Sequence, residues 1–210
     1  MMFTKILVLA PHTDDGEFGC GGTMARLLAE GAEVHYAAFS SAEKSLPPGA
    51  APDQLVKELK AAMRSLGVRD QWLHILDYGV RDFPEHRQAI LDDLLKLKAA
   101  VGPDLVLLPS VNDTHQDHRT IADEGFRAFK DRTILGYEIP WNNRTFNTEC
   151  FVLLQRAHID AKVKALMCYA SQLDRFYANE DFIRALAKTR GTQIGAPCAE
   201  AFEAVRWVIN

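Results

Sequence analysis

Short apolar runs alternate with amphipathic stretches along this chain. ILVLA (6–10) is continuously apolar, the mark of a strand buried on both faces. GGTMARLLAEGAEV then puts Met24, Leu27 and Leu28 on one helical face and reaches Gly31 at a C-cap position. VHYAAFS (34–40) predicts a second strand, so residues 4–40 read as a βαβ unit, parallel and right-handed in its crossover. SAEKSLPPGAAPD (41–53) is too rich in Ser, Pro, Gly and Ala for regular structure and predicts a surface loop.

The alternation continues. QLVKELKAAMRSLG predicts a helix, QWLHIL a short strand, EHRQAILDDLLKLKAAVG a helix and PDLVLLPS (103–110) a buried strand. A helix over about 119–130, the strand RTILGYEI, the loop PWNNRTFNTE and the strand FVLLQ follow. Helices around 158–171 and 179–189 and a strand in AFEAVRWVI complete the chain, with no internal repeat and no low-complexity segment. The pattern predicts an α/β fold: a single Rossmann-like domain over residues 1–210 with a mainly parallel β-sheet flanked by helices.

Composition narrows the partners. At 210 residues, 48% hydrophobic and 25% charged, the chain suits one globular domain. Lys+Arg 24 against Asp+Glu 28 gives a net charge of -4 with no like-charged block, which argues against nucleic acid. The N-terminal apolar run enters polar residues at once, so it reads as a first strand and not a signal peptide, and no run reaches membrane-spanning length. Cys20, Cys150, Cys168 and Cys198 lie far apart without a CxxC pair, the usage expected of reduced thiols in a cytoplasmic protein.

Two clusters carry candidate chemistry. PHTDDGEFGCGG (11–22) sets His12, Asp14 and Asp15 behind the first strand, and ligands of open α/β sheets bind beyond the carboxyl ends of strands. Imidazole and carboxylate suit a borderline metal such as zinc, and an adjacent carboxylate suits a base acting on water. Two other readings compete: Thr13, Asp14 and Asp15 cap the next helix, or the glycines cradle a dinucleotide phosphate. The second fits poorly, because GEFGCGGTMARL departs from G-x-G-x-x-G and strand two ends in Phe39-Ser40-Ser41 without an acid for a ribose. THQDH (114–118) repeats the placement after a later buried strand. His12, Asp15 and either His115 or His118 then make a three-ligand set with an open position, catalytic in type. His35, His74, His86 and His158 lack acidic company of this kind and read as ordinary surface or strand residues.

These motifs resemble the PIG-L or LmbE-like family of zinc-dependent N-deacetylases. PHTDDGEFGCGG matches the variant HPDDxExGxGG with Thr13 for proline, and His115-Gln116-Asp117-His118 matches HxDH after a PD-rich strand. GYEIPWN (136–142), KALMCYASQLDR (164–175) and RGTQIGAPCAEAFEAVR (190–206) are also similar. The resemblance implies that His12, Asp15 and His118 bind Zn2+, with Fe2+ accepting the same ligands in the cell. It further implies Asp14 as general base, His115 as stabiliser of the oxyanion or leaving group, and Asp117 as the carboxylate that orients a histidine. Glu17, Arg81, Arg119, Glu138, Trp141, Asn142, Ser171, Gln172 and Arg175 are its candidates for substrate contacts, Glu17 being either structural or pocket-lining. Gly16, where many members carry glutamate, and Cys198, where tyrosine is expected, depart from the pattern.

The implied activity is hydrolysis of the N-acetyl group of an N-acetylated amino sugar, releasing acetate and a free amine. The alternatives are the same chemistry on another small amide, such as a thiol conjugate or an antibiotic precursor, and a carbohydrate-binding homologue without turnover. A base beside the water argues against the last. The expected partner is a small N-acetylated sugar, and a homo-oligomer is compatible with the sequence.

Overall fold

The computed structural model describes residues 3–209. Its strands are β1 (Lys5–Ala10), β2 (Glu33–Ala38), β3 (Leu73–Ile75), β4 (Leu105–Pro109), β5 (Thr133–Tyr137), β6 (Cys150–Leu153) and β7 (Ala199–Arg206). Its helices are α1 (Asp15–Ala29), α2 (Gln54–Leu66), α3 (Arg87–Val101), α4 (Gln116–Ala128), α5 (Arg156–Leu166) and α6 (Glu180–Gln193). One sheet runs β3-β2-β1-β4-β5-β7-β6. The strands from β3 to β5 pair in parallel, while β7 runs antiparallel to both β5 and β6. The mainly parallel α/β architecture expected from the alternating pattern is therefore present.

β1 explains the two layers. Its residues 6–10 are fully buried, and alternate side chains enter different cores. Ile6, Val8 and Ala10 pack in a cluster with α1, α2 and α5, whereas Leu7 and Leu9 pack with Ile90, Leu94 and Ile121 from α3 and α4. Because β2 and β4 flank β1, the strand order reverses there. A crevice opens beyond the carboxyl ends of β1 and β4, the switch point where such sheets bind ligands.

Element ends differ from the apolar periodicity where polar residues carry the helix. α1 starts at Asp15, so the glycine-rich stretch is helical and buried. A Cβ on Gly16 would lie 2.5 Å from the Tyr36 ring and one on Gly19 would lie 2.2 Å from Tyr137. These glycines let α1 approach β2 and β5. α4 begins at Gln116, which puts Asp117 and His118 in its first turn. α5 ends at Leu166, and Ala170–Gln172 forms a separate short turn in place of a helix running to 171. QWLHIL contributes only Leu73–Ile75 to the sheet because Asp70–Trp72 is a 3-10 turn.

α1 is also kinked at Cys20, where φ is -144° and ψ is 22°. The kink frees backbone groups on both sides, and a buried ion pair satisfies them. Glu200 on β7 accepts the Gly22 and Thr23 N–H groups at 3.0 and 2.7 Å, capping the second segment. Lys162 on α5 donates to the Phe18 carbonyl and to Glu200, each at 2.6 Å. Glu200→Ala should strand Lys162, whose side chain is 6% exposed, and leave two N–H groups unmet. The expected cost is about 3–5 kcal/mol, read as a lower denaturant midpoint. An unchanged midpoint would remove this pair from the account of the kink.

Candidate active site

β1 and β4 deliver the two polar clusters to one crevice. His12 follows β1; its backbone N–H donates to Asp15 Oδ2 at 2.8 Å, and its Nδ1 lies 3.1 Å from the same oxygen. His118, in the first turn of α4, brings Nε2 to 3.2 Å from that oxygen and 3.4 Å from His12 Nδ1. The far nitrogens face other carboxylates: His12 Nε2 is 2.9 Å from Asp117 Oδ2, and His118 Nδ1 is 2.7 Å from Asp113 Oδ2. A neutral imidazole that donates its far N–H to an aspartate turns a lone pair inward. Donor atoms of His12, Asp15 and His118 lie within 4.8 Å of one another, so the set fits a divalent cation with an open position.

The same atoms shift one another's titration. Burial opposes charge on His118, but Asp15 and Asp113 push its pKa up to about 10. Burial likewise opposes charge on His12, which Asp15 and Asp117 raise. Burial would lift Asp15, yet His118 and His12 hold it well below the usual carboxylate range.

Asp14 lives in a different environment. It occupies the N-cap position of α1, but its side chain caps no N–H, so the capping reading fails for this residue. Burial, and then the charge of Asp15, raises its pKa to about 6. Among the described residues the neighbouring Thr13 hydroxyl, which is buried, has no hydrogen-bond partner.

His115 caps α4, its Nδ1 accepting the Asp117 N–H at 3.2 Å. Burial and the nearby His118 and His12 push its pKa down to about 4, so the ring is neutral near pH 7. With Nδ1 accepting, its proton belongs on Nε2. Asp117 does more than orient His12: Oδ2 also accepts the Arg81 N–H at 2.7 Å. Arg81 has φ of 72°, a left-handed conformation costly for a residue with a side chain, and the Asp117 hydrogen bond helps hold it.

The cleft beside these groups has a volume of about 270 Å³. Trp141 and Tyr177 stack at 3.8 Å, and Phe18 meets Trp141 edge-on at 5.2 Å, forming an aromatic wall.

The profile of the PIG-L family, described as GlcNAc-PI de-N-acetylase, matches residues 7–129. The chain belongs to this family. It is 27% identical over 132 residues to the diacetylchitobiose deacetylase of Thermococcus kodakarensis, a match covering 59% of this chain and 48% of that protein. The matched chain thus spans about half the length of that relative. The conserved protein TT1542 of Thermus thermophilus superposes with a TM-score of 0.80 at 27% identity, covering 99% of this chain and 97% of the other. GalB, the 4-carboxy-2-hydroxymuconate hydratase of Pseudomonas putida, superposes with a TM-score of 0.81 at 20% identity, covering 99% and 98%. At that identity the likeness concerns fold alone, and a fold does not select its chemistry.

For this PIG-L family member the crevice gathers His12, Asp14, Asp15, His115 and His118, and Arg81, Trp141, Asn142, Gln172 and Arg175 also line the cleft. Four expected substrate contacts lie elsewhere. Glu17 is fully buried beneath the motif loop, accepting from the Tyr36 and Tyr169 hydroxyls, and burial lifts its pKa to about 8. Arg119 is exposed on α4 outside the cleft lining. Glu138 is buried in an ion pair with Arg190, and Ser171 donates to Glu58 through its N–H and hydroxyl at 3.0 and 2.7 Å. Cys198 also lies outside the cleft, ahead of β7, with its carbonyl accepting the Leu154 N–H.

Asp113 was not among the expected residues, although it stands in the loop between β4 and α4, two residues before the HxDH motif. Its Oδ1 accepts the His115 N–H at 2.8 Å while Oδ2 holds His118. His118→Ala should abolish stoichiometric metal binding, whereas Asp113→Ala should weaken it by about 10–100-fold. Competition titration against a chromophoric chelator checks both; wild-type affinity in Asp113→Ala would rule out this orienting role.

Proposed function

We propose that the chain catalyses metal-dependent hydrolysis of the N-acetyl group of an N-acetylated amino sugar, releasing acetate and a free amine. The observation that carries this reading is the opposite environment of two adjacent aspartates. Asp15 lies between two imidazoles and keeps its charge, while the buried Asp14 carboxylate caps no N–H of α1 and lines the cleft. The family description and the diacetylchitobiose deacetylase relative support an acetamido sugar. An aromatic wall with Asn142 and Gln172 beside it also suits a sugar's apolar face and hydroxyls.

His12, Asp15 and His118 would hold zinc, or ferrous iron, which accepts the same ligands. When bound, such a cation supplies Lewis-acid polarisation and a more acidic water. Asp14 takes the proton from the water that attacks the acetamide carbon. Burial lifts its pKa above the ordinary carboxylate range, which favours a group that must accept and hold that proton. The neutral His115 donates its Nε2–H to the carbonyl oxygen as negative charge develops there. As the C–N bond breaks, Asp14 returns its proton to the departing nitrogen, and the amine leaves neutral.

Asp14→Asn should retain wild-type metal content and lose about 10²–10⁴-fold in kcat. Elemental analysis and acetate release measure the two effects, on free N-acetylglucosamine and on nucleotide-linked and glycoside forms. Near wild-type turnover in the variant would remove Asp14 as base. No acetate from any substrate with metal-loaded wild-type protein would overturn the amino-sugar reading.

A further inference from the structure

Among the described residues only two that carry a side chain have positive φ, Ala42 and Arg81, and both line the cleft. Ala42 closes a turn within its own loop, its carbonyl accepting the Ser45 N–H at 2.9 Å. The segment around Arg81 is instead fixed at both ends. The Tyr78 N–H donates to the Phe39 carbonyl at 3.0 Å, just past β2, and Phe83 is fully buried in the core shared with α3 and α4. Between them the Asp82 N–H closes a turn on the Gly79 carbonyl at 3.1 Å. This course points two backbone donors at one carboxylate: the Arg81 N–H lies 2.7 Å from Asp117 Oδ2, and the Phe83 N–H 3.4 Å from Oδ1. The Asp117 side chain is fully buried, and the same Oδ2 lies 2.9 Å from His12 Nε2.

We propose that Arg81 is a positioning residue for His12, acting through its left-handed backbone and not through its guanidinium. The inference rests on the metal-site reading and goes beyond it by making the cleft loop 79–83 part of the metal's support. The Arg81 amide pins Asp117 Oδ2 where it accepts the Nε2–H of His12, which leaves the Nδ1 lone pair facing Asp15 and His118. A carboxylate without that donor is free to turn away from His12 and to release the imidazole with it. The cost of positive φ opposes the docked course of the loop, and the bond to Asp117 favours it, so the balance responds to a change in either. Because one carboxylate serves both, a metal held by His12 and docking of the loop must favour each other by the same factor.

The test measures zinc affinity, by competition with a chromophoric chelator, in Arg81→Gly, Arg81→Ala and Arg81→Val, all of which remove the guanidinium. Glycine takes positive φ freely, alanine takes it at a cost like that of arginine, and β-branched valine strongly resists it. The glycine and alanine variants should bind within about threefold of wild type, and the valine variant about tenfold more weakly. Equal weakening in all three assigns the effect to the guanidinium, and wild-type affinity in Arg81→Val removes the backbone from the metal's support; either result overturns the inference. A second measurement needs no variant. Zinc should slow hydrogen exchange about tenfold at the Arg81 and Phe83 amides relative to those of Ser45 and Leu46, which bond within their own turn. Unchanged exchange at Arg81 overturns the inference even where Arg81→Val fails to fold. Wild-type protein that binds no zinc defeats the metal-site reading itself, whereas tight binding with an indifferent Arg81 amide defeats only the role given to the loop.

Discussion

A single carboxylate oxygen ties the two halves of the site together. Asp15 Oδ2 receives the His12 N–H and lies beside a ring nitrogen of both His12 and His118, so it joins the end of β1 to the start of α4. The two histidines are more than 100 residues apart, and their near nitrogens still come within 3.4 Å. That convergence requires β1 and β4 to be neighbours in the sheet and to end at the same level. The remaining polar groups extend outward from this point, through Asp117 to the Arg81 loop and through Asp113 to the cap of α4.

Four aspartates around the crevice differ in role because their surroundings differ. Asp15 faces two imidazoles and keeps its charge; Asp14 has burial and a like charge against it and is left with a raised pKa. Asp113 and Asp117 lie behind the histidines and fix which nitrogen carries the proton. Environment, not residue type, sets the two adjacent aspartates apart.

The supporting helix shows what such precision demands elsewhere. Gly16 and Gly19 let α1 approach Tyr36 and Tyr137 closely, and the kink at Cys20 is stabilised by Lys162 and Glu200 from α5 and β7. The Tyr36 and Tyr169 hydroxyls reach both Glu17 and the Thr13 carbonyl, bracing the loop that carries Asp14 and Asp15 from below. Elements contributing nothing directly to the chemistry thereby determine where the reactive loop sits.

The alternation of apolar runs and amphipathic helices was sufficient to determine the α/β class, because hydrophobic periodicity is local. The motifs His12-Thr13-Asp14-Asp15 and His115-Gln116-Asp117-His118 were legible for the same reason: each is contiguous and follows a buried strand. Strand order, the antiparallel β7, the α1 kink and the partner of each carboxylate were not legible, since they join residues distant in the chain. Glu17 and Glu138 look like Asp14 in one dimension, all acidic and all near a strand. Only the tertiary structure decides that Glu17 meets two tyrosines, Glu138 meets Arg190, and Asp14 alone of the three lines the cleft. A carboxylate's chemistry depends on its neighbours in space, and those neighbours are set by packing.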